Sequence, residues 1–273
     1  MAPLLTQNLV QEMRTASRHA DADLCCSLDL GRSQTTVHCL HGGSGFGWQG
    51  QAYPLPHPCR ERTVYHWTGK TFEPVARFGS ALYKLVPTEH GPPTFEIDGI
   101  KMLPSAQVSP WDDAARKVAL VQPRGKRLLD CCGGLGYFAA QALAAGAAHL
   151  TSFERSAEVL WLRSVNPWSP AVSPALDLHH ADVAQALPTL PAASVDAVLH
   201  DPPRFSIAGE LYSQAFYDGL ARVLRPGGLL FHYTGTPNAR SHGRDLQAEV
   251  MRRLAQAGFS ARREGDGLLA RRR

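Results

Sequence analysis

The stretch LLDCCGGLGY, residues 128–137, decides the fold. It opens as an apolar run that ends in an acid, Asp130, and passes Cys132 and the glycines Gly134 and Gly136 into Tyr137 and an alanine-rich segment. Glycine lets a backbone turn tightly and come close to a ligand, so a strand that turns through glycines into a helix reads as the opening of a ligand-binding α/β unit. The spacing is Asp-x-x-x-Gly-x-Gly, which differs from the Gly-x-Gly-x-x-Gly of dinucleotide-binding turns. A carboxylate at position 130 would repel a pyrophosphate, whereas it attracts the cationic end of S-adenosyl-L-methionine (SAM). SAM is therefore the expected cofactor.

Outward from this turn, apolar runs and helical stretches alternate. Strands are expected over 127–132, 149–154, 176–179, 195–200, 229–233, 260–263 and 267–270. Helices are expected over 112–121, 137–145, 157–165, 211–224 and 246–257. Alternation of this kind predicts an α/β fold of the class I Rossmann-like SAM methyltransferase type. Its sheet is seven-stranded and mostly parallel, covered on both faces, and fills residues 109–273. Ligands bind at the carboxyl ends of such strands. Glu154 ends the second strand, where an acid can accept both ribose hydroxyls. Asp182 ends the third strand unit, where an acid can accept from the adenine amino group. The expected cofactor residues are thus Asp130, Cys132, Gly134, Gly136, Tyr137, Glu154 and Asp182.

The fourth strand runs into DPPRF, residues 201–205. Two prolines after an aspartate make a stiff extended loop, with carbonyls expected to be free as acceptors. An exocyclic amine on a base is a poor nucleophile, because its lone pair is delocalised into the ring. A carboxylate and a backbone carbonyl accepting its N–H bonds would turn the lone pair towards a methyl sulfonium, so that orientation and electrostatics supply the catalysis. Arg204 or Phe205 would stack on the base. The expected catalytic set is Asp201, Pro202, Pro203, Arg204 and Phe205. Every cysteine lies at or before Cys132 and far in sequence from Asp201, which argues against a thiolate mechanism of pyrimidine C5 methylation.

Residues 1–108 differ in character. They are rich in β-branched and aromatic residues with frequent turn signals, and read as a small, mostly β domain with a short helix within 1–20. A hairpin is expected over 25–30 and 35–40, a glycine-rich loop over 41–50, strands over 63–67 and 72–77, and a hairpin around Asp98 and Gly99. The 273 residues carry a formal charge of +4, which permits an anionic partner such as RNA. No stretch approaches the roughly 20 apolar residues that span a bilayer, and the N-terminal residues lack a signal-peptide pattern. No membrane partner is expected. The six cysteines, among them the adjacent pairs at 25–26 and 131–132, show neither zinc spacing nor a disulfide framework, so no metal and a cytoplasmic setting are expected.

Taken together, residues 130–137, 166–169, 201–206, 208–213 and 231–235 resemble a family of methyltransferases best represented in archaea. PTFEIDGIKM (93–102) and LDLGRS (28–33) extend the resemblance over most of the chain. The run DPPRFSIAGELYSQAFY, 201–217, is long and specific. The resemblance implies a ribosomal RNA methyltransferase acting on the N4 amine of a cytidine in the small subunit. Many amino methyltransferases carry an aromatic residue where this chain has Arg204, which leaves the acceptor atom open. A small-molecule or protein methyltransferase, a polyamine aminopropyl transferase, and a SAM-binding regulator are the alternatives.

Overall fold

The computed structural model describes residues 2–89, 91–205, 207–235 and 245–273. The chain forms two compact units, the first of Met1–Trp111 with Trp161–Trp168, the second of Asp112–Leu160 with Ser169–Arg273. Sequence reading divides the chain once, after residue 108. In the structure the division falls after Trp111, and the eight residues from Trp161 also count with the first unit.

In the first unit, β1 (Leu4–Thr6) leads directly into α1 (Gln7–Ala16), where the Thr6 side chain caps the helix by accepting from the Leu9 N–H. Ten further strands follow: β2 (Ala22–Cys26), β3 (Thr35–Cys39), β4 (Gly45–Trp48), β5 (Gln51–Pro54), β6 (Val64–Trp67), β7 (Phe72–Pro74), β8 (Ala76–Phe78), β9 (Leu82–Val86), β10 (Thr94–Ile97) and β11 (Ile100–Lys101). They make three small antiparallel sheets, ordered β1-β6-β7, β2-β3-β4-β5 and β11-β10-β9-β8. Leu5, Val10, Met13, Val37, Phe46, Tyr53 and Phe72 share one core, in which the Phe46 and Tyr53 rings stack at 5.1 Å.

Three local expectations change here. The first hairpin strand ends at Cys26, because the side chains of Ser27 and Asp29 capture the N–H groups of Gly31 and Ser33 and fold 27–33 into a turn of their own. The stretch 41–50 contains β4. Glycine stands at 45 because the β5 backbone comes so near that a Cβ would lie 2.4 Å from the Tyr53 carbonyl oxygen. The run 72–77 divides into β7 and β8 in different sheets, and Val75 between them joins the two, its N–H donating to the Val64 carbonyl at 2.7 Å and its carbonyl accepting from the Leu85 N–H at 2.9 Å. The hairpin at Asp98 and Gly99 forms as expected, with φ of 48° and 77°.

The second unit is the alternating one. Helix α2 (Pro110–Leu120) precedes β12 (Arg127–Asp130), α3 (Tyr137–Ala144), β13 (His149–Glu154), α4 (Ala157–Val165), β14 (Leu176–His180), the short α5 (Val183–Ala186) and β15 (Val195–His200). Then come α6 (Gln214–Val223), β16 (Leu224–Tyr233), α7 (Leu246–Gln256), β17 (Phe259–Glu264) and β18 (Gly267–Arg272). The sheet has seven strands in the order β14-β13-β12-β15-β16-β18-β17. The five strands from β14 to β16 are parallel, and β18 and β17 join antiparallel, so the sheet is mixed. Leu129, Val198, Leu230 and Leu268 from its strands pack with Phe216, Tyr217 and Leu220 of α6 and Val250 and Leu254 of α7.

The helix expected over 211–224 is shorter at its start. A 3-10 turn, Gly209–Tyr212, stops at Ser213, whose hydroxyl accepts from the Phe216 N–H and starts α6 afresh. The strand expected over 267–270 runs on into the basic end, where Arg271 and Arg272 pair with Ser260 and Phe259.

Candidate active site

The cofactor residues expected from sequence gather at the carboxyl ends of β12, β13 and β14. β12 lies inside the sheet between β13 and β15, and its terminal Asp130 is wholly buried, with Oδ2 accepting from the Ser152 hydroxyl at 2.9 Å. The following turn is tied to both neighbouring strands. The Cys131 N–H donates to the Leu199 carbonyl at 3.0 Å and the Gly133 N–H to the Phe153 carbonyl at 2.8 Å. Gly134 and Gly136 have φ of 49° and 83°, a left-handed path that side chains disfavour, and Gly136 delivers the chain to buried Tyr137 at the head of α3. Glu154 spans the turn: Oε2 accepts from the Gly134 N–H at 3.0 Å and Oε1 from the Ser156 N–H at 2.8 Å. Asp182 caps α5, its Oδ1 accepting from the Ala184 N–H at 2.8 Å.

This donor set suits SAM. Three carboxylates, Asp130 and Glu154 at the ends of β12 and β13 and Asp182 two residues past β14, surround a turn whose glycines bring bare backbone to the surface of the site. An acceptor-rich cradle of this kind matches a cationic, hydroxyl-bearing ligand and opposes a polyphosphate. Glu154 also braces the glycine turn itself, which the sequence does not announce.

The catalytic motif leaves β15 at Asp201. The prolines were expected to offer two free carbonyls. The Tyr212 hydroxyl instead donates to the Pro203 carbonyl at 3.0 Å, while the Pro202 carbonyl accepts no hydrogen bond among the described residues. The Arg204 carbonyl accepts from the N–H groups of Ile207 and Ala208, which bends the loop back towards the 3-10 turn. The Arg204 side chain is exposed and does not pair with Asp201. Phe205 is 49% exposed and sets its ring edge-on to Tyr212 at 5.4 Å. Ser206, part of the same run, lies outside the described residues.

The partner of Asp201 is one that sequence reading missed. Lys117 of α2 is 1% exposed, and its Nζ lies 2.8 Å from Asp113 Oδ2, 3.4 Å from Asp201 Oδ2 and 4.0 Å from Asp266 Oδ2. It also sits 4.2 Å from the ring centre of Tyr233. Burial pushes Asp201 above the ordinary carboxylate range, Lys117 draws it back, and Asp113 and Asp266 push it up again, so the net direction is upward. Burial alone would lower Lys117, but Asp201 and Asp113 outweigh it and the ammonium is held charged. A signal was present in the sequence. Ala114, Lys117, Val118 and Val121 fall at helical spacing, and all four are buried, so the lysine occupies the apolar stripe of α2.

Cys132 is far from Asp201 in sequence, but the strand ends bring it within electrostatic range of Asp201, Glu154 and Asp130. Burial, then Cys131 and these carboxylates, push its thiol well above the usual value, which favours the neutral thiol over the thiolate. His200 and His232 lie beneath the motif with rings 4.5 Å apart. Burial takes His200 down to about 4, and its Nε2 meets the Leu211 carbonyl at 3.1 Å. His232 is depressed in the same direction by burial and by His200, and its Nε2 pairs with the Tyr217 hydroxyl. Both are neutral supports of the loop. Among the described residues there is no cluster of His, Cys, Asp or Glu that could hold a metal ion, and no helix is long and apolar enough to cross a membrane.

Residues 170–267 match the model of Methyltransf_30, a family of S-adenosyl-L-methionine-dependent methyltransferases. The uncharacterized protein MJ1233 of Methanocaldococcus jannaschii is 42% identical over 193 residues, covering 70% of this chain and 66% of that protein, just under two thirds of its length. Two solved structures of spermidine synthase share the fold. One, in complex with the transition-state analogue AdoDATO, has a TM-score of 0.57 at 15% identity and covers 72% of each chain. The other, from Thermotoga maritima, has a TM-score of 0.56 at 15% identity over 72% of this chain and 70% of that one. On the family match and the fold, the second unit is a Rossmann-like S-adenosyl-L-methionine-dependent methyltransferase unit, with S-adenosyl-L-methionine as its cofactor.

Proposed function

We propose that this chain transfers a methyl group from SAM to a nitrogen of RNA, the N4 amine of a cytidine in small-subunit ribosomal RNA, in the cytoplasm. One observation carries the reading: a carboxylate, Asp201, held on a buried ammonium at the end of β15 and followed by a proline carbonyl with no partner among the described residues. Bound SAM supplies an electrophilic methyl on its sulfonium. Asp130, Glu154 and Asp182 would hold its amino acid, ribose and adenine ends in that order. Asp201 and the Pro202 carbonyl would each accept one N–H of the acceptor amine, which aims the nitrogen lone pair outward from the loop. Once the methyl has moved, the amine carries a surplus proton, and Asp201 is the base placed to take it. Phe205 offers an exposed face for the base, and Tyr212 fixes the loop through Pro203.

The first unit favours RNA over a small acceptor. On one face of its β8–β11 sheet, Lys84, Glu96 and Lys101 stand directly opposite one another, and Arg62 pairs with Glu96. On the same face Phe78 pairs with Leu82, and both are exposed, at 82% and 41%. An exposed aromatic ring among cations is the chemistry that binds single-stranded nucleic acid.

The second reading, aminopropyl transfer, draws on the fold shared with spermidine synthase and on three carboxylates, Asp113, Asp201 and Asp266, in one cluster. Lys117 and Arg116 already occupy that cluster and leave it a single surplus negative charge, fewer than the several cationic nitrogens of a polyamine call for.

Nucleoside mass spectrometry of small-subunit rRNA from cells with and without the gene tests the proposal. Loss of one methylated cytidine, restored by wild type and not by Asp201→Ala, is the expected result. An unchanged rRNA profile would overturn the RNA reading.

A further inference from the structure

We propose that Lys117 is a positioning residue for methyl transfer: it holds Asp201 by Oδ2 from inside the fold, keeps it anionic, and leaves Oδ1 to the acceptor amine. This rests on the role given to Asp201 above. The argument is one of charge and geometry. Lys117 and Asp113 lie one helical turn apart on α2, Asp201 ends β15, and Asp266 sits in the turn between β17 and β18. Arg116 binds Asp113 at 2.9 Å and Asp266 at 2.8 Å. The cluster thus sets three carboxylates against two cations, and one negative charge is in surplus.

Where that surplus sits follows from the distances. Asp113 touches both cations at 2.8 and 2.9 Å. Asp266 has Arg116 at 2.8 Å. Asp201 has Lys117 alone, at 3.4 Å, and its Oδ1 makes no hydrogen bond among the described residues. The least compensated carboxylate is therefore the one in the motif, and it has a free oxygen to offer. The other groups in electrostatic range are Asp113 and Asp266 as well as the neutral Tyr212, Tyr233 and Cys132. Of these neighbours, Lys117 is the one that favours the carboxylate form, and Asp113 acts in the opposite sense.

The two opposed influences give a test with a sign. The Asp201 carboxyl is titrated by carbon-13 NMR in the full chain, assigned with Asp201→Asn, in wild type, Lys117→Met, Lys117→Arg and Asp113→Asn. Folding is checked by circular dichroism. Removing an opposite charge at this distance shifts a carboxylate by roughly one to three units. Lys117→Met is expected to raise the Asp201 midpoint by at least about one unit, Asp113→Asn to lower it, and Lys117→Arg to keep it near wild type. The acid limb of kcat, measured as transfer from labelled SAM to transcribed small-subunit rRNA, moves with the midpoint in each variant. A purely structural lysine would change rate or stability and leave the limb in place. Asp113→Asn keeps Lys117 in the fold, so the test survives if Lys117→Met does not fold. Midpoints that stay together in all folded variants overturn the proposal. Midpoints that move as expected while wild type methylates no rRNA support the hold on Asp201 and overturn only the choice of acceptor.

Discussion

Glu154→Gln changes one atom of the site and asks whether a single side chain both braces the glycine turn and holds the ribose. Glu154 accepts the Gly134 N–H at 3.0 Å and the Ser156 N–H at 2.8 Å, one on each oxygen. Hydrogen bonds to a charged group contribute about 1.5–3 kcal/mol each. Glutamine keeps one acceptor oxygen and turns an NH2 towards the other donor, so one bond is lost and two N–H groups oppose each other. The expected loss of stability is about 2 kcal/mol, roughly 30-fold in the folding equilibrium. For a unit of this size that lowers Tm by about 4–8 °C. The ribose hydroxyls lose a charged acceptor as well, so SAM should bind about 30-fold more weakly. Urea unfolding followed by circular dichroism gives the first quantity, and isothermal titration with SAM the second. An unfolding free energy within about 0.5 kcal/mol of wild type would refute the brace, since a surface substitution does no more than that. A stability loss with unchanged SAM affinity would refute the ribose role alone.

Stability should fall on mild acidification for a reason that can be isolated. His200 is held neutral with its pKa down at about 4, so below 6.5 the unfolded chain binds a proton that the folded chain refuses, and stability drops as pH falls from 6.5 through 4. The contribution is on the order of 3 kcal/mol. His200→Gln, whose amide still donates to the Leu211 carbonyl, should flatten that part of the pH–stability curve measured by urea unfolding, and an unaltered slope would count against it. On the first unit, Phe78→Ala combined with Lys84→Glu should weaken binding of single-stranded RNA and reduce its salt dependence by about one charge, with SAM affinity untouched. An RNA affinity equal to wild type would remove this sheet face from the proposed binding surface.

Much of the second unit could be read in advance because two periods dominate its sequence. Runs such as 195–200 bury every residue except Asp196 and can only be an interior strand, and acids at their carboxyl ends mark the ligand side. Asp130, Glu154 and Asp182 could be assigned to the carboxyl side of the sheet in that way. The contacts that set the chemistry were not legible in the same terms. Lys117 and Asp201 are separated by 84 residues, and no local pattern links them. The lysine was visible only as an interruption of an apolar stripe, which reads equally well as a surface residue at the stripe's edge. Cys132 shows the converse error, since distance along the chain says little about distance across adjacent parallel strands. In the first unit the short strands carry weak periodicity, and side-chain captures by Ser27 and Asp29 and a backbone approach at Gly45 decide the boundaries.

The strand order has a consequence for how the protein is made. β17 reaches the sheet only through β18, which lies between it and β16 and is synthesised after it. Until Gly267–Arg272 has emerged from the ribosome, β16 offers an open edge and β17 has no neighbour to pair with. An unpaired apolar edge is a template for association with other chains. Nascent chains stalled short of β18 would therefore be the species most in need of a chaperone, although every residue of the proposed cofactor site has already been translated.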